Sequence, residues 1–468
     1  MQEKIFKDPI YGNISVPKQY CEAFIDTEIF QRLRRIEQTS MRVVYPSAHH
    51  DRFSHSLGVF YLGREVMKSV RLHSEETFIA EISILEWEKI QKTFDIACLL
   101  HDCTHAPFSH TFEQYFLLPD SKKEFISQKI KSACSSDTEF ALDFKIEKPQ
   151  PHEIYSAIMA VEYFGKAILN FGADPTLVAR MITGCHYKQG RLSLKKKVLN
   201  RVISLLNGNA FDVDSLDYIQ RDTWASGVNN VSIDYNRLVK SVYIGFTSKE
   251  ANEGNPSIIF HKQALSVIEN VSIGRNFLYK WIYTHHKVVY EQYLLEKSIN
   301  YIDQEIAGFS EKVLSYDVFN SPQEIKNSTF FLTSDDDLFH IFKKYFNECK
   351  EIRELLSRQY KFHAVWKTRH EYKKLLNFNN DDFLAVLGKI SDTHEILGEK
   401  VIVCEANPKI KGFESTYIQI NLGGTFIDIT DVTGKSVAED MKFFYLYVPD
   451  SLTSKKEMIV EECRSLMN

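Results

Sequence analysis

The sequence predicts a mainly α-helical protein: a large helical core with a short β-hairpin, followed by a smaller C-terminal α+β lobe. Three observations carry that reading. Apolar residues recur at helical spacing through most of residues 1–310, as at Phe30, Leu33 and Ile36. The segment "YIGFTSKEANEGNPSIIFH" breaks this pattern with two β-branched runs around Gly, Asn and Pro. The tail carries short runs rich in β-branched and aromatic residues.

Taken in order, "KDPIYGN" and "VPKQY" hold turn residues and predict an N-terminal arm or hairpin. Helical spacing begins at Thr27, "YPSAHHDR" is a loop, and "FSHSLGVFYLGREVMKSV" resumes a helix. Further helices are expected over 152–166, 175–185, 199–206, 213–224, 235–242 and 264–307. In the tail, "KVIVCEA", "TYIQINL", "TFIDITDV" and "FFYLYVP" read as strands. The expected division is a core with its N-terminal arm over 1–310 and a lobe over 311–468.

The chain has 468 residues, 44% hydrophobic and 25% charged, which is soluble globular composition. A net charge of −5 argues against a dedicated nucleic-acid binder, so nucleic acid is not an expected partner. Eight scattered cysteines without a C-x-x-C pair predict reduced, intracellular thiols. The start "MQEKIFKDPIYGN" lacks an apolar signal region, and no run of 18 apolar residues exists to span a membrane. A cytoplasmic protein with no membrane partner is expected.

The chemistry concentrates in "FDIACLLHDCTHAPFSH", where an apolar run leads into His101, Asp102, His105 and His110. Residues four apart share a helix face, so His101 and His105 can look into one cavity, with Asp102 beside them. Imidazole and carboxylate together suit a divalent metal: Mn, Fe, Zn, Ni or Mg. Two ligands hold a metal poorly, so more are expected elsewhere. "HHDRFSHSLG" offers His55, with Arg52 before it; "NAFDVDSLDYIQRD" offers Asp214, with Tyr218 and Asp222 on the same helix face. Cys98 and Cys103 are expected to pack, and His49 and His50 to be loop residues at a helix start.

"RFSHSLG", "LLHDCTHAPFSH" and "DVDSLDYIQRD", in this order, resemble the HD-domain metal-dependent phosphohydrolases. The nearest branch is similar to the deoxynucleoside-triphosphate triphosphohydrolases of the SAM-and-HD-domain type. "DPIYG", "FQRLRRIEQ" and "HHKVVY" follow the same branch, and the resemblance covers roughly residues 4–290. It implies an HD-domain helical core and four ligands for a divalent metal: His55, His101, Asp102 and Asp214. It implies that His105 acts with Glu113, which stands where other members carry an aspartate, and that His152 of "PHEIYSAI" protonates the leaving 5′-oxygen. It places His110 on phosphate, Gln38 on the sugar 3′-hydroxyl, Arg52 near base or phosphate, and Tyr218 with Asp222 around the deoxyribose. Lys280 and Tyr283 fall near the phosphates or base. Lys4, Ile5, Asp26 and Arg34 match positions for an activating nucleotide between subunits, which implies a homo-oligomer, a dimer or a tetramer.

Ser215 departs from this pattern, because triphosphate-cleaving members carry a lysine directly after the metal aspartate. Arg275, Asn276 and Lys280 stand where an arginine and a histidine are expected. The expectation is metal-dependent hydrolysis of dNTPs to deoxynucleoside and inorganic triphosphate. An HD-type phosphohydrolase or phosphodiesterase for a monophosphate, cyclic nucleotide or oligonucleotide is the alternative. A nucleotide-sensing or single-strand nucleic-acid-binding module with a vestigial site is the non-enzymatic rival.

Overall fold

The computed structural model describes residues 2–117, 121–208, 211–228, 232–247, 254–313, 333–376, 395–407, 417–433 and 443–465. Strands β1 (Glu3–Asp8) and β2 (Gly12–Pro17) form the expected N-terminal hairpin. The helix Arg52–Ser74 starts where the Asp51 carboxylate accepts the amide of Ser54. The helix Ile84–Leu100 starts with a capping box between Ser83 and Glu86. The two helices pack side by side, and Gly63 permits the close approach: a Cβ there would lie 2.5 Å from Cys98 Sγ. The helices Pro151–Glu162 and Pro175–Thr183 pack next to this pair. Phe60, Val66, Phe94, Ile96, Ile158 and Met181 are among the residues buried between these elements. Cys98 and Cys103 are fully buried, as expected of packing residues.

Two expected helices end differently. The 235–242 helix stops at Val239, because Val242–Gly245 pairs as strand β3 with β4 (Ser257–His261), the predicted hairpin. The turn residues 248–253 lie outside the described residues. The 264–307 helix is not continuous. It runs as Leu265–Phe277, loosens into a π-helical turn at Leu278–Tyr283, and restarts at His286–Glu305. Thr284 Oγ1 donates back to the Tyr279 carbonyl at 2.9 Å, and Tyr445 Oη donates to the Thr284 carbonyl at 2.9 Å. Side-chain and tertiary hydrogen bonds thus replace the helix ladder at the break.

The tail strands form where β-branched and aromatic residues cluster. Phe443–Pro449 pairs antiparallel with Phe362–Ala364 on one side and Ile402–Ala406 on the other. Ile418–Asn421 pairs in parallel with β4, and Phe426–Asp428 adds beyond it. The hairpin sheet therefore has four strands, two of them from the tail. "TFIDITDV" is only half strand; Ile429–Thr433 is a short helix. Among the described residues, no helix is long and apolar enough to cross a membrane.

Candidate active site

The helix that carries the apolar run ends at Leu100, so His101 to Thr104 form a turn and not a helix face. The shared-face reason for pairing His101 with His105 therefore does not hold, yet both side chains reach one polar centre. His55 projects from the first full turn of Arg52–Ser74, and Asp214 from the first turn of the helix Val213–Ser226. His55 Nε2 lies 3.0 Å from Asp214 Oδ1 and 3.3 Å from His101 Nε2. Asp102 offers Oδ1 at 3.7 Å from His101 Nε2 and Oδ2 at 3.7 Å from His55 Nε2.

These residues fit a divalent cation. His101 Nδ1 faces the Cys98 carbonyl at 2.9 Å, and His55 Nδ1 faces the Asp217 carboxylate at 2.8 Å. Both acceptors require a proton on Nδ1, so each imidazole, when neutral, presents an Nε2 lone pair to the other ring and to two carboxylates. Without a metal the arrangement calls for a proton on Nε2: burial works against it, but Asp214 and Asp217 raise the His55 pKa to about 10, and a divalent cation would take that proton's place. Metal–ligand bonds of ~2.1 Å put neighbouring ligand atoms about 3.0–3.4 Å apart, close to the separations found. The Asp217–His55 pair is the carboxylate support typical of ligating imidazoles. Burial works against charging Asp217, but Arg221 and His55 outweigh it and hold the carboxyl down at about 2.

A second cluster adjoins the first. Glu113 lies 3.1 Å from His105 Nε2 and 3.2 Å from His110 Nδ1, and it hydrogen-bonds His152 Nδ1. The His105 and His152 rings stack with centroids 4.3 Å apart. His152 Nε2 is 3.5 Å from Asp102 Oδ1, which joins the clusters. Burial opposes charging His152, but Glu113 and Asp102 raise its pKa to about 9. Burial, Arg52 and His152 instead push His105 well below the usual imidazole value. The neighbouring rings are thus biased toward opposite protonation states, as acid–base pairs require. His110 is solvent-facing, with 62% of its side chain exposed. It follows Phe108 and Ser109, both in the left-handed region (φ 53° and 52°). The Asp335 carboxylate holds that bend by accepting the Phe108 amide at 2.7 Å.

Arg52 is buried and committed. Its guanidinium donates to Asp102 Oδ2 at 2.6 Å, Ser109 Oγ at 3.0 Å and the Gln38 carbonyl at 3.2 Å. Gln38 is buried too, and among the described residues its Oε1 has no partner, which leaves an acceptor for a ligand. On the Val213–Ser226 helix, Tyr218 stands between Asp214 and Asp222. Asp222 accepts from Tyr283 Oη and faces His50 Nε2 at 2.6 Å. Lys280 is half-buried in the π-helical turn, its ammonium 5.1 Å from the Trp281 ring centre. Asp212 caps the helix by accepting the Ser215 amide at 2.7 Å, and the Ser215 hydroxyl donates to the Asp212 carbonyl at 2.9 Å, so it does not replace a lysine ammonium. Lys4 and Asp26 form an exposed ion pair at 2.6 Å, Ile5 is 67% exposed, and Arg34 stacks 3.4 Å over Phe53.

Sequence reasoning missed Asp217, Arg221 and the role of His50. An acid and an arginine four apart in an otherwise buried helix was a usable signal for Asp217 and Arg221. His49 is exposed, as a loop residue should be, but His50 is buried against Asp222. The helix start is held by Asp51 instead.

Residues 52–218 match the model of the HD domain family. That segment of the chain matches an HD domain, and the residues it brings together with Asp214 fit a divalent metal. Among individual proteins, it is 30% identical over 298 residues to the deoxynucleoside triphosphate triphosphohydrolase SAMHD1 of Danio rerio, covering 60% of this chain and 42% of that one. It is 30% identical over 294 residues to the SAMHD1 homolog of Dictyostelium discoideum, covering 60% and 46%. The alignments thus span less than half the length of these two relatives. An uncharacterized protein, MG461 of Mycoplasma genitalium, is 28% identical over 361 residues, covering 73% and 72%. The crystal structure of a hypothetical protein from Aquifex aeolicus shares the fold, with a TM-score of 0.64, 21% identity and 100% of each chain covered.

Proposed function

We propose that this protein hydrolyses deoxynucleoside triphosphates to a deoxynucleoside and inorganic triphosphate. The observation that carries the reading is the junction of the two clusters: the His55, His101, Asp102 and Asp214 cradle meets the Glu113-centred histidines through His152 and Asp102, 3.5 Å apart. Likeness to relatives named as dNTP triphosphohydrolases supports the substrate class.

His55, His101, Asp102 and Asp214 would hold the metal. When bound, a divalent cation supplies charge neutralisation on a phosphate and a more acidic water. His105, uncharged, is suited to accept a proton during attack, with Glu113 orienting its ring. His152, charged against Glu113, is suited to protonate the leaving 5′-oxygen. His110 faces solvent beside this pair, where a phosphate would arrive. Gln38 Oε1 offers an acceptor to a sugar hydroxyl. Tyr218, with Asp222 and Tyr283, would line the deoxyribose, and a ring close to the 2′ carbon leaves little space for a hydroxyl. Lys4, Ile5, Asp26 and Arg34 would take an activating nucleotide between subunits. A cytoplasmic homo-oligomer is part of the same reading.

A second reading, hydrolysis of another nucleotide ester, is favoured by Ser215, whose hydroxyl is committed to the Asp212 carbonyl and which puts no cation directly after Asp214. The test is to incubate the purified chain with each dNTP and Mn2+ or Mg2+ and identify the phosphate released. Triphosphate is expected. Orthophosphate or pyrophosphate as the sole product rejects the first reading and leaves the second.

A further inference from the structure

The N-terminal hairpin turn reaches the back of the metal cradle. Asp8 Oδ1 accepts the amides of Ile10 at 2.8 Å and Tyr11 at 2.9 Å, which fixes the turn. Its other oxygen accepts from Arg221 Nη1 at 2.9 Å. Tyr11 stacks on Tyr61 with ring centroids 4.9 Å apart, and its hydroxyl donates to Asp217 Oδ1 at 2.8 Å. Arg221 grips Asp217 with Nε on Oδ2 at 2.8 Å and Nη2 on Oδ1 at 3.0 Å. Asp217 Oδ2 then faces His55 Nδ1. The side chains of Asp8, Arg221 and Asp217 are only 6%, 1% and 0% exposed, so water does not substitute for any partner.

We propose that Asp8 and Tyr11 are positioning residues for the metal centre, so that seating of the hairpin sets metal affinity. The proposal rests on His55 being a metal ligand. Asp217 receives four donors, two on each oxygen, and a carboxylate so held cannot rotate. Its orientation keeps the proton on His55 Nδ1 and aims Nε2 at the cradle. Removing the Tyr11 hydroxyl frees one lone-pair site on Oδ1. Changing Asp8 weakens the anchor of Arg221 and lets the guanidinium turn. Gly58 shows how little space exists: a Cβ there would fall 1.9 Å from Asp217 Oδ1.

Partners that support a ligating histidine change metal affinity by about 10- to 100-fold. Tyr11 and Asp8 act one bond further out, so a loss of roughly three- to ten-fold is expected for Tyr11→Phe and Asp8→Asn. The measurement is the Mn2+ dissociation constant of the full chain, by chelator competition, with circular dichroism confirming the fold. Tyr11→Phe keeps the ring and its stacking, and Tyr61→Phe is the packing control, expected within two-fold of wild type. Gly58→Ala should weaken binding at least as much as Tyr11→Phe. Dissociation constants within two-fold of wild type for both Tyr11→Phe and Asp8→Asn overturn the positioning role, even if the melting temperature falls. A wild-type chain that binds no Mn2+ overturns the metal reading itself, a separate result.

Discussion

The backbone amide of Phe108 donates to the Asp335 carboxylate at 2.7 Å across a separation of 227 residues. The other Asp335 oxygen accepts the Glu37 amide at 2.9 Å, and Phe339 meets the Phe108 ring edge-on at 5.0 Å. One acid in the tail therefore holds the bend before His110 and the segment before Gln38. Leaving a buried amide such as that of Phe108 without a partner costs about 1–3 kcal/mol, and the part-buried Glu37 amide adds less. Asp335→Ala should lower stability by roughly 2–4 kcal/mol on that basis. It should also expose the Phe108 and Glu37 amides to hydrogen exchange while leaving Mn2+ affinity near wild type. Unchanged exchange at both amides would remove the clamp.

His55 Nε2 and His101 Nε2 meet at 3.3 Å in the cradle, so removing either imidazole should empty it of metal. His101→Ala is expected to weaken Mn2+ binding by at least about 100-fold, more than the loss of an outer-shell partner. Mn2+ should raise the wild-type melting temperature and leave that of the variant unchanged. Metal analysis after dialysis is the direct check, and equal metal content in both proteins contradicts the assignment.

Glu113 contacts three imidazoles but no residue of the cradle. Glu113→Gln should cut kcat by about 10²- to 10⁴-fold, the scale of general acid–base catalysis. Mn2+ affinity should stay within about three-fold of wild type, below the change expected for a supporting partner. A variant with normal kcat would show that the histidine trio is not the proton-transfer group.

Asp95 lies on the buried side of the Ile84–Leu100 helix, and among the described residues its Oδ1 has no hydrogen-bond partner. Burial raises its pKa to about 7, against the pull of Arg64 and Lys68. The folded pKa is above the unfolded value, so the neutral form favours folding. That contribution is fully present below the unfolded pKa near ~3.9 and is lost as pH rises through about 7. Asp95→Asn should remove this slope. Between pH 5 and pH 8 the wild type should lose roughly 1–3 kcal/mol more than the variant in urea unfolding. Parallel losses in the two proteins would contradict the assignment.

How far this site was legible can be traced residue by residue. His55, His101, Asp102 and Asp214 lie in short motifs with strong local context, and the structure brings them together. The face shared by Asp214, Tyr218 and Asp222 follows from helical periodicity alone. Asp217 supports His55 across 162 residues, and no periodicity encodes a contact of that range. His50 looked like a loop residue because its partner, Asp222, is 172 positions away. The break at Thr284 escaped for a related reason: its apolar spacing is helical, and Tyr445 from the tail helps hold it open.

The parallel pairing of Ile418–Asn421 with β4 has a practical consequence for anyone cutting or recombining this chain. β4 sits between a strand of its own hairpin and a strand that arrives more than 150 positions later. β3, its other neighbour, is tied to the His55 helix: Ser69 Oγ donates to the Val242 carbonyl at 2.9 Å, and the Ile244 amide donates to Ser74 Oγ at 2.8 Å. A fragment ending at residue 310 would carry every proposed metal ligand, yet would bare the edge of β4 as a template for association. A chimaera that imports a foreign tail must import a strand that matches this edge. Ile418–Asn421 and Phe426–Asp428 are stitched into the sheet that backs the helix of His55, and they are not exchangeable cargo.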